Sequence, residues 1–168
     1  VVFYDPHLPN GVDLATGYKR VQSLEELMAQ ADAVSLHAPY NEETHHLIND
    51  AVLAHAKPGL LLINTARGPL IDLDALYKAM KSGHVGGAGL DVLPQEPPTP
   101  LPPLLAEWAA GADWIKERLL ITPHAAFFSP PGNLDIRRKA SEVVCHYLRD
   151  GKLTNCVNWD AIRHHFKG

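Results

Sequence analysis

Short apolar runs alternate with helix-forming segments along most of this chain, and the alternation limits the folds that it can adopt. The run at residues 60–63 is followed by residues 72–82, where apolar side chains recur about every 3.6 residues. Strands that alternate with helices indicate βαβ units and a parallel sheet with helices on both faces. The pattern therefore predicts an α/β fold with a doubly wound parallel sheet, in which residues 60–63 are a strand buried on both faces.

The remaining elements are predicted from the same periodicities and from their end signals. Ser23 and Glu26 form a capping box that begins a helix, and Gly83 ends the helix at residues 72–82. The chain begins at Val1 inside a predicted strand, so we expect an N-terminally truncated domain whose first strand and first helix lie upstream. Further strands are predicted at residues 1–4, 33–37, 88–92 and 119–121, and further helices at residues 23–30, 49–57 and 133–149.

A proline-rich segment at residues 97–103 leads into a stretch that contains Trp108 and Trp114. Proline favours a stiff, extended connection. We therefore interpret residues 97–118 as an insertion on the surface that the two tryptophans anchor. A segment that docks a partner is the alternative, because buried aromatic residues often anchor interfaces.

The overall composition excludes several classes of function. Hydrophobic residues make up 46% of the chain and charged residues 20%, which is typical of a globular protein. The net charge of -4 predicts no direct binding of nucleic acid, and no apolar run reaches the length of about 18 residues that a membrane helix needs. Cys145 and Cys156 are expected to be reduced thiols, and no histidine or cysteine spacing predicts a metal site.

An arginine, a carboxylate and a histidine follow three of the predicted strands, at Arg67, Glu96 and His124. Ligands of open α/β sheets bind at the carboxyl ends of the strands, so these groups are expected to meet in one crevice. Arginine offers a carboxylate two parallel donors, and histidine exchanges a proton near neutral pH. A carboxylate beside imidazole favours its protonated form and fixes its tautomer. Each residue alone also fits a surface loop, but together they predict the reduction of a 2-keto acid.

Asp5 ends the first predicted strand, and no arginine or lysine follows it closely in the sequence. A carboxylate at this place in a dinucleotide-binding fold accepts hydrogen bonds from the adenosine ribose hydroxyls and repels the extra phosphate of NADP. An aspartate in a turn before proline is the simpler interpretation. The glycine-rich phosphate turn is expected about 20 residues before such an acid, which is upstream of Val1.

These segments resemble the D-isomer-specific 2-hydroxyacid dehydrogenases, a family with a Rossmann-like fold, and most of all their C-terminal-binding-protein branch. The resemblance runs nearly from end to end. The wider family is seen in residues 64–68, 87–91 with Glu96-Pro97, and 122–124, and the corepressor branch in residues 45–50, 124–126 and 155–158.

The resemblance implies that the cofactor is NAD(H) and assigns a role to each candidate residue. It implies that Arg67 binds the substrate carboxylate, that His124 is the acid/base and that Glu96 supports it. The corepressor relatives usually carry a tryptophan where this chain has Phe127, so we expect an altered substrate pocket. The residues that would line the cofactor are Asp5, Ala38, Pro39, Tyr40, Asn41, Thr44, Thr65, Ala66, Arg67, Asp91, His124 and Phe127.

The resemblance also implies two domains. Residues 1–128 would form most of the NAD-binding domain, and residues 129–168 a crossover helix that returns to a second, substrate-binding domain. We expect an NAD-dependent oxidoreductase that acts on a small D-2-hydroxy or 2-keto acid. An NAD(H)-regulated transcriptional corepressor that binds repressor peptides is the alternative, and an idle member of the fold is a third. A homodimer in the cytoplasm and/or the nucleus is expected.

Overall fold

The computed structural model describes residues 1–166, which divide into two compact units. The first unit is Val1–Ala126, and the second begins at Phe127. Their assignment to an NAD-binding and a substrate-binding domain stays a prediction. Among residues 1–166, no helix is both long and apolar enough to cross a membrane.

The first unit opens with a small parallel pair of strands. β1 (Val2–Phe3) pairs with β2 (Lys19–Arg20), and α1 (Val12–Thr16) lies between them in the chain. Neither α1 nor β2 was predicted, because elements of two to five residues show no clear hydrophobic period. The pairing brings Arg20 opposite Phe3, and so places a guanidinium beside the end of β1.

A four-stranded parallel sheet forms the centre of the first unit. The strands pair in chain order, so each connection crosses over from one end of the sheet to the other. The elements in chain order are α2 (Leu24–Gln30), β3 (Ala33–Leu36), α3 (Asp50–Leu53), β4 (Leu60–Asn64), α4 (Leu73–Lys81), β5 (Val85–Leu90), α5 (Pro103–Ala109) and β6 (Leu119–Ile121). This arrangement confirms the Rossmann-like α/β class.

Three helices of the first unit, α2, α3 and α4, begin where a polar side chain accepts one or two of the first backbone N–H groups. Ser23 accepts from Glu26 N at 3.1 Å and begins α2, as the capping box predicts. Asn49 accepts from Val52 N and begins α3, and Asp72 accepts from Asp74 N and Ala75 N and begins α4. α3 is shorter than predicted and ends at Leu53, where it passes into a turn.

The core lies on one face of the sheet. Leu60 and Leu62 of β4 are buried in a cluster with apolar residues of α2, α3, α4 and α5. Leu61 and Ile63 point the other way and are 51% and 40% exposed. The expectation that this strand is buried on both faces is therefore wrong, because the helices that share its core cover only the face of Leu60 and Leu62.

β5 begins at Val85, three residues before its predicted start at residue 88, and ends at Leu90 rather than Val92. Its sequence contains Gly86, Gly87 and Gly89, and glycine is depleted in strands, which hides the start of this one. Gly86 and Gly87 suit their positions, since a side chain at either would approach backbone atoms of a neighbouring segment within 2.6 to 3.1 Å.

The segment at residues 97–118 contains α5 and contributes to the core. Leu104 and Ile115 have no exposed surface. Trp108 donates from Nε1 to Leu119 O at 3.1 Å, and the ring of Trp114 packs edge-on against Tyr77 at 6.1 Å between centroids. The two tryptophans anchor the segment as predicted, but the interpretation as a surface insertion is wrong, because the segment connects β5 to β6 and its buried residues share the core of the first unit. The helix was not foreseen, because the prolines before it indicated an extended chain.

Glu107 of α5 connects this segment to α4. Its carboxylate accepts hydrogen bonds from Lys81 Nζ at 2.8 Å, from Tyr77 Oη at 2.5 Å and from Trp114 Nε1. The bond from Lys81, followed by those from Tyr77 and Trp114, lowers the pKa of Glu107 from 4.5 to about 2. The carboxylate is therefore ionised throughout the ordinary pH range.

The second unit contains α6 (Pro130–Asp150) and the short α7 (Trp159–Ile162), followed by a 3-10 turn at Arg163–Phe166. α6 begins three residues before its predicted start at Asn133. Ser129 accepts from Gly132 N at 3.1 Å, and two prolines occupy the first turn, where their lack of an N–H costs nothing. Gly151 ends the helix with φ at 63°.

We predict that Glu107→Gln lowers the free energy of unfolding, because it removes the negative charge that pairs with Lys81. A carboxyl group whose pKa is lowered on folding stabilises the protein above its unfolded pKa, and that contribution is lost as the pH falls through the folded value. The difference in urea midpoint between wild type and variant should be largest above pH 4.5 and shrink towards pH 2. Glu117→Gln, on an exposed neighbouring position, is the control. A difference in urea midpoint that does not change with pH would contradict the lowered pKa of Glu107.

Candidate active site

The carboxyl ends of β4, β5 and β6 carry the turns with the predicted catalytic residues. Arg67 lies three residues after β4, Asp91 directly after β5, and His124 three residues after β6. Because the three strands are adjacent and parallel, these turns meet at the same edge of the sheet. Two polar residues of the described part of the chain are buried, Asn64 and Asp91, and both lie at this edge.

Asp91 holds the turn that contains His124. Its Oδ1 accepts from Thr122 Oγ1 at 2.5 Å and from Ala125 N at 2.8 Å, and its Oδ2 accepts from Ala126 N at 2.9 Å. Its backbone oxygen accepts from His124 N at 2.9 Å. His124 has φ at 52°, a left-handed conformation that few non-glycine residues adopt, and these bonds on both sides of it offset the strain.

The Asp91 carboxyl is buried and ionised. Burial raises the pKa of Asp91, but the hydrogen bonds from Thr122 and from the backbone of Ala126 and Ala125 outweigh it and hold the pKa below its usual value. A buried carboxylate with this many donors costs little to ionise. The negative charge therefore stays next to the His124 turn at neutral pH.

His124 and Glu96 form the pair that the sequence predicted. His124 Nδ1 lies 2.7 Å from Glu96 Oε2, and Glu96 Oε1 accepts from Leu93 N at 2.8 Å. The bond with His124, followed by that from Leu93, lowers the pKa of Glu96 below its usual value. An ionised Glu96 can only accept a hydrogen bond, so His124 donates through Nδ1. Nε2 is then the ring nitrogen that can exchange a proton with another group.

Asn64 holds the turn that contains Arg67. Its side chain is completely buried, donates from Nδ2 to Arg67 O at 2.9 Å and accepts at Oδ1 from Ala66 N at 3.0 Å. Arg67 is exposed, and its Nη1 donates to Ala66 O at 2.7 Å. The other guanidinium nitrogens have no hydrogen-bond partner within the described part of the chain, so they can receive an anion.

The turn at Arg67 packs directly against the segment that leads to Glu96. A Cβ at Gly68 would lie 1.9 Å from Leu93 C and 2.3 Å from Pro94 N, which no side chain can tolerate. Glycine is therefore required here, because it lets two backbones touch. The contact ties the position of Arg67 to that of Glu96.

The loop after β3 has a closed structure of its own. Asn41 N donates to Thr44 Oγ1 at 2.8 Å, Thr44 N donates to Asn41 Oδ1 at 3.0 Å, and Thr44 Oγ1 donates to Pro39 O at 2.7 Å. Tyr40 is half exposed, and its hydroxyl lies 3.3 Å from His45 Nδ1. These bonds fix the loop at the sheet edge where the sequence predicts the cofactor.

Asp5 lies just after β1, with Oδ1 accepting from His7 N at 2.9 Å. Its Oδ2 has no hydrogen-bond partner among residues 1–166, which suits an acceptor for ribose hydroxyls. Arg20 donates from Nη2 to the backbone oxygen of Asp5 at 2.6 Å and from Nη1 to Leu8 O at 3.0 Å. A basic residue is thus close in space, although none is close in the sequence, and it binds backbone rather than the carboxylate.

The predicted cofactor residues follow successive strands. Those of the loop after β3 and the turns after β4, β5 and β6 belong to one sheet edge, Asp5 follows β1, and Phe127 begins the second unit. Their binding role stays a prediction. Among the side chains that the structure describes, those of residues 1–164, no group of three or more histidine, cysteine or acidic residues could hold a metal.

Sequence reasoning missed the residues that shape the turns. Asn64, Thr122 and Gly68 stand inside the segments that were singled out, but no role was assigned to them. An amide at the end of an apolar run was the available signal, because a buried polar group needs partners nearby.

A parallel α/β unit whose polar turns meet at the carboxyl ends of its strands is the arrangement of a dinucleotide-binding domain. Residues 1–126 match the family described as D-isomer specific 2-hydroxyacid dehydrogenase, NAD binding domain. The chain belongs to this family, and the match confirms both the resemblance and NAD as the cofactor of its domain.

Individual relatives agree with this assignment. The chain is 35% identical over 163 residues to a glyoxylate reductase of Korarchaeum cryptofilum (strain OPF8), covering 97% of this chain and 46% of the relative. It is 33% identical over 168 residues to C-terminal-binding protein 1 of Caenorhabditis elegans, covering 96% and 22%. The apo crystal structure of Rhodotorula graminis D-mandelate dehydrogenase superimposes with a TM-score of 0.76 and 38% identity, covering 90% and 41%. The chain spans less than half the length of each.

We predict that Gly68→Ala destabilises the protein by about 2–3 kcal/mol, because the new methyl group overlaps the backbone of Leu93. Gly89→Ala is the matched control, since a Cβ there would meet only Ile63 Cγ1 at 4.0 Å. Urea unfolding measures both variants. Equal stability of the two would show that the Arg67 turn and the Glu96 segment are not in contact.

We also predict that Asp91→Asn loosens the His124 turn. An amide has one acceptor oxygen where the carboxylate has two, so the N–H of Ala126 or the donors of Thr122 and Ala125 lose their partner. The expected loss is about 2 kcal/mol of unfolding free energy, with faster hydrogen exchange at the amide of Ala125 or of Ala126, whichever loses its acceptor. Asp113→Asn, at an exposed position, should change neither quantity. Wild-type exchange at both amides in the Asp91 variant would refute this role.

Proposed function

We propose that the protein is an NAD-dependent oxidoreductase that interconverts a small D-2-hydroxy acid and its 2-keto acid. The observation that carries the proposal is the 2.7 Å hydrogen bond between His124 Nδ1 and Glu96 Oε2 at the sheet edge that also holds Arg67. A histidine with its tautomer fixed by a carboxylate suits proton exchange with an alcohol or carbonyl oxygen.

His124 moves the proton. Glu96, whose carboxylate is ionised, accepts the Nδ1 proton in a hydrogen bond and so keeps that proton on Nδ1. In the reducing direction His124 Nε2 gives its proton to the carbonyl oxygen of the keto acid as that oxygen gains negative charge. In the oxidising direction the neutral Nε2 takes the proton of the substrate hydroxyl.

Arg67 orients the substrate. The guanidinium binds a carboxylate through two parallel hydrogen bonds, and its remaining N–H groups can do so while Nη1 keeps its bond to Ala66 O. Fixing the carboxylate also fixes the adjacent carbonyl, so that its oxygen faces His124. The positive charge further polarises that carbonyl towards reduction.

Residues at the strand ends would hold the cofactor. Asp5 has a carboxylate oxygen for the ribose hydroxyls, and the closed loop at residues 38–44 and the backbone of Thr65 and Ala66 border the same edge. NAD(H), when bound, supplies or accepts the hydride. Asp91 stays behind the His124 turn, where its carboxylate accepts from Ala125 N and Ala126 N and holds the turn in place.

The alternative is an NAD(H)-regulated corepressor that binds repressor peptides, and the 33% identity to C-terminal-binding protein 1 supports it. In that case the same residues would hold the cofactor, and turnover would be incidental. A homodimer and a cytoplasmic and/or nuclear location are proposed for either function.

We predict that the full-length protein oxidises NADH with a clear preference among small 2-keto acids. His124→Ala should lower kcat by about 100-fold or more, because the general acid is lost. Arg67→Ala should lower kcat/KM by about 100-fold, mainly through KM, because the carboxylate loses a charged bidentate partner. Steady-state absorbance assays measure both.

The controls are His55→Ala and Arg137→Ala, which remove the same side chains at exposed positions away from the strand ends. Both should behave as wild type. Near-normal turnover of His124→Ala would contradict the proposal that His124 moves the proton. Tight NADH binding without turnover of any keto acid would favour the corepressor.

A further inference from the structure

The side-chain amide of Asn64 is completely buried, and its hydrogen bonds go to the turn that carries Arg67. Among residues 1–166 no buried side-chain nitrogen or oxygen lacks a hydrogen-bond partner. Both partners of the Asn64 amide belong to this turn, so its burial is tolerated only while the turn keeps its shape.

The two bonds of Asn64 reach the peptide groups on either side of the Ala66–Arg67 peptide. Oδ1 accepts from Ala66 N at 3.0 Å, which fixes the preceding peptide, and Nδ2 donates to Arg67 O at 2.9 Å, which fixes the following one. Because the peptides on both sides are held, the Cα atoms of Ala66 and Arg67 are held as well, and with them the point where the Arg67 side chain leaves the backbone. The oxygen of the Ala66–Arg67 peptide, Ala66 O, accepts from Arg67 Nη1 at 2.7 Å.

Asn64 is itself held in the sheet. Its backbone oxygen accepts from Asp91 N at 2.9 Å, and its backbone pairs with Leu36 of β3 on the other side. The amide therefore transmits the position of the sheet to the guanidinium through bonded groups.

We propose that Asn64 is a positioning residue that sets where the Arg67 guanidinium meets the substrate carboxylate. The inference rests on the proposed function, because it gives Arg67 its role. If Asn64 only stabilised the fold, its replacement would lower the amount of folded protein and affect kcat as much as the KM for the keto acid. A positioning Asn64 acts on substrate binding and acts through Arg67.

The first experiment measures steady-state kinetics of the full-length protein with its best 2-keto acid. Asn64→Ala should raise KM for the keto acid about tenfold, the factor expected for a misplaced hydrogen-bonded group, with a smaller change in kcat. The dissociation constant of NADH should rise by a smaller factor than this KM, because the Thr65–Ala66 backbone is one of several segments proposed to line the cofactor. Asn133→Ala, in α6, is the matched control and should change none of these quantities. An unchanged KM in a folded Asn64→Ala protein would overturn the proposal.

A double-mutant cycle tests whether Asn64 acts through Arg67. In an Arg67→Ala background, adding Asn64→Ala should change kcat/KM by less than about twofold, because the group that Asn64 positions is gone. A full additional tenfold loss would overturn the positioning role while the proposed function stands. If Arg67→Ala alone leaves kcat/KM unchanged, the proposed function fails, and this inference fails with it.

Asn64→Asp provides a second variant that does not depend on the folding of Asn64→Ala. The introduced carboxyl can still accept from Ala66 N, but it donates to Arg67 O only when protonated. Its KM for the keto acid, relative to wild type at the same pH, should therefore fall towards one as the pH is lowered. A folded Asn64→Asp protein whose relative KM is high but independent of pH, or equal to wild type throughout, would contradict the positioning of Arg67 by this amide.

Discussion

Two buried polar side chains at the ends of neighbouring strands hold the turns of the site in place. A polar group that leaves water must find hydrogen-bond partners inside the protein, or the fold loses stability. Asn64 and Asp91 find theirs in the turns that carry Arg67 and His124, and Asp91 N donates to Asn64 O. The need to satisfy these groups in the core thus dictates the shape of the exposed turns, and the side chains of Arg67 and His124 remain accessible on a rigid support.

The order of strands and helices could be read from the sequence, because apolar runs and helical periods are strong local signals. Ser23 with Glu26 fixed the start of α2, and the run at residues 60–63 fixed β4. α5 and the start of β5 could not be read, since proline and glycine disguise them and packing decides them. The exposure of Leu61 was equally hidden, because a local apolar run does not tell which face of a sheet is covered.

The residues whose side chains could take part in a reaction were easier to predict than the residues that shape the turns of the site. Arg67, Glu96 and His124 follow strands and have side chains suited to one reaction, and the structure pairs Glu96 with His124 as expected. The role of Asn64 depends on a turn geometry that no pattern encodes. Contacts between distant segments, such as that of Gly68 with Leu93, arise only when β4 and β5 lie side by side.

A crystal structure of the full-length protein with NADH and oxamate, an unreactive analogue of a 2-keto acid, tests the account most directly. We expect the oxamate carboxylate to accept two hydrogen bonds from Arg67 and its carbonyl oxygen to lie about 3 Å from His124 Nε2. Asn64 should keep its bonds to Ala66 N and Arg67 O. Oxamate bound away from Arg67 and His124, or an Arg67 turn that has left Asn64, would contradict the claim that the buried amide and carboxylate preorganise the site.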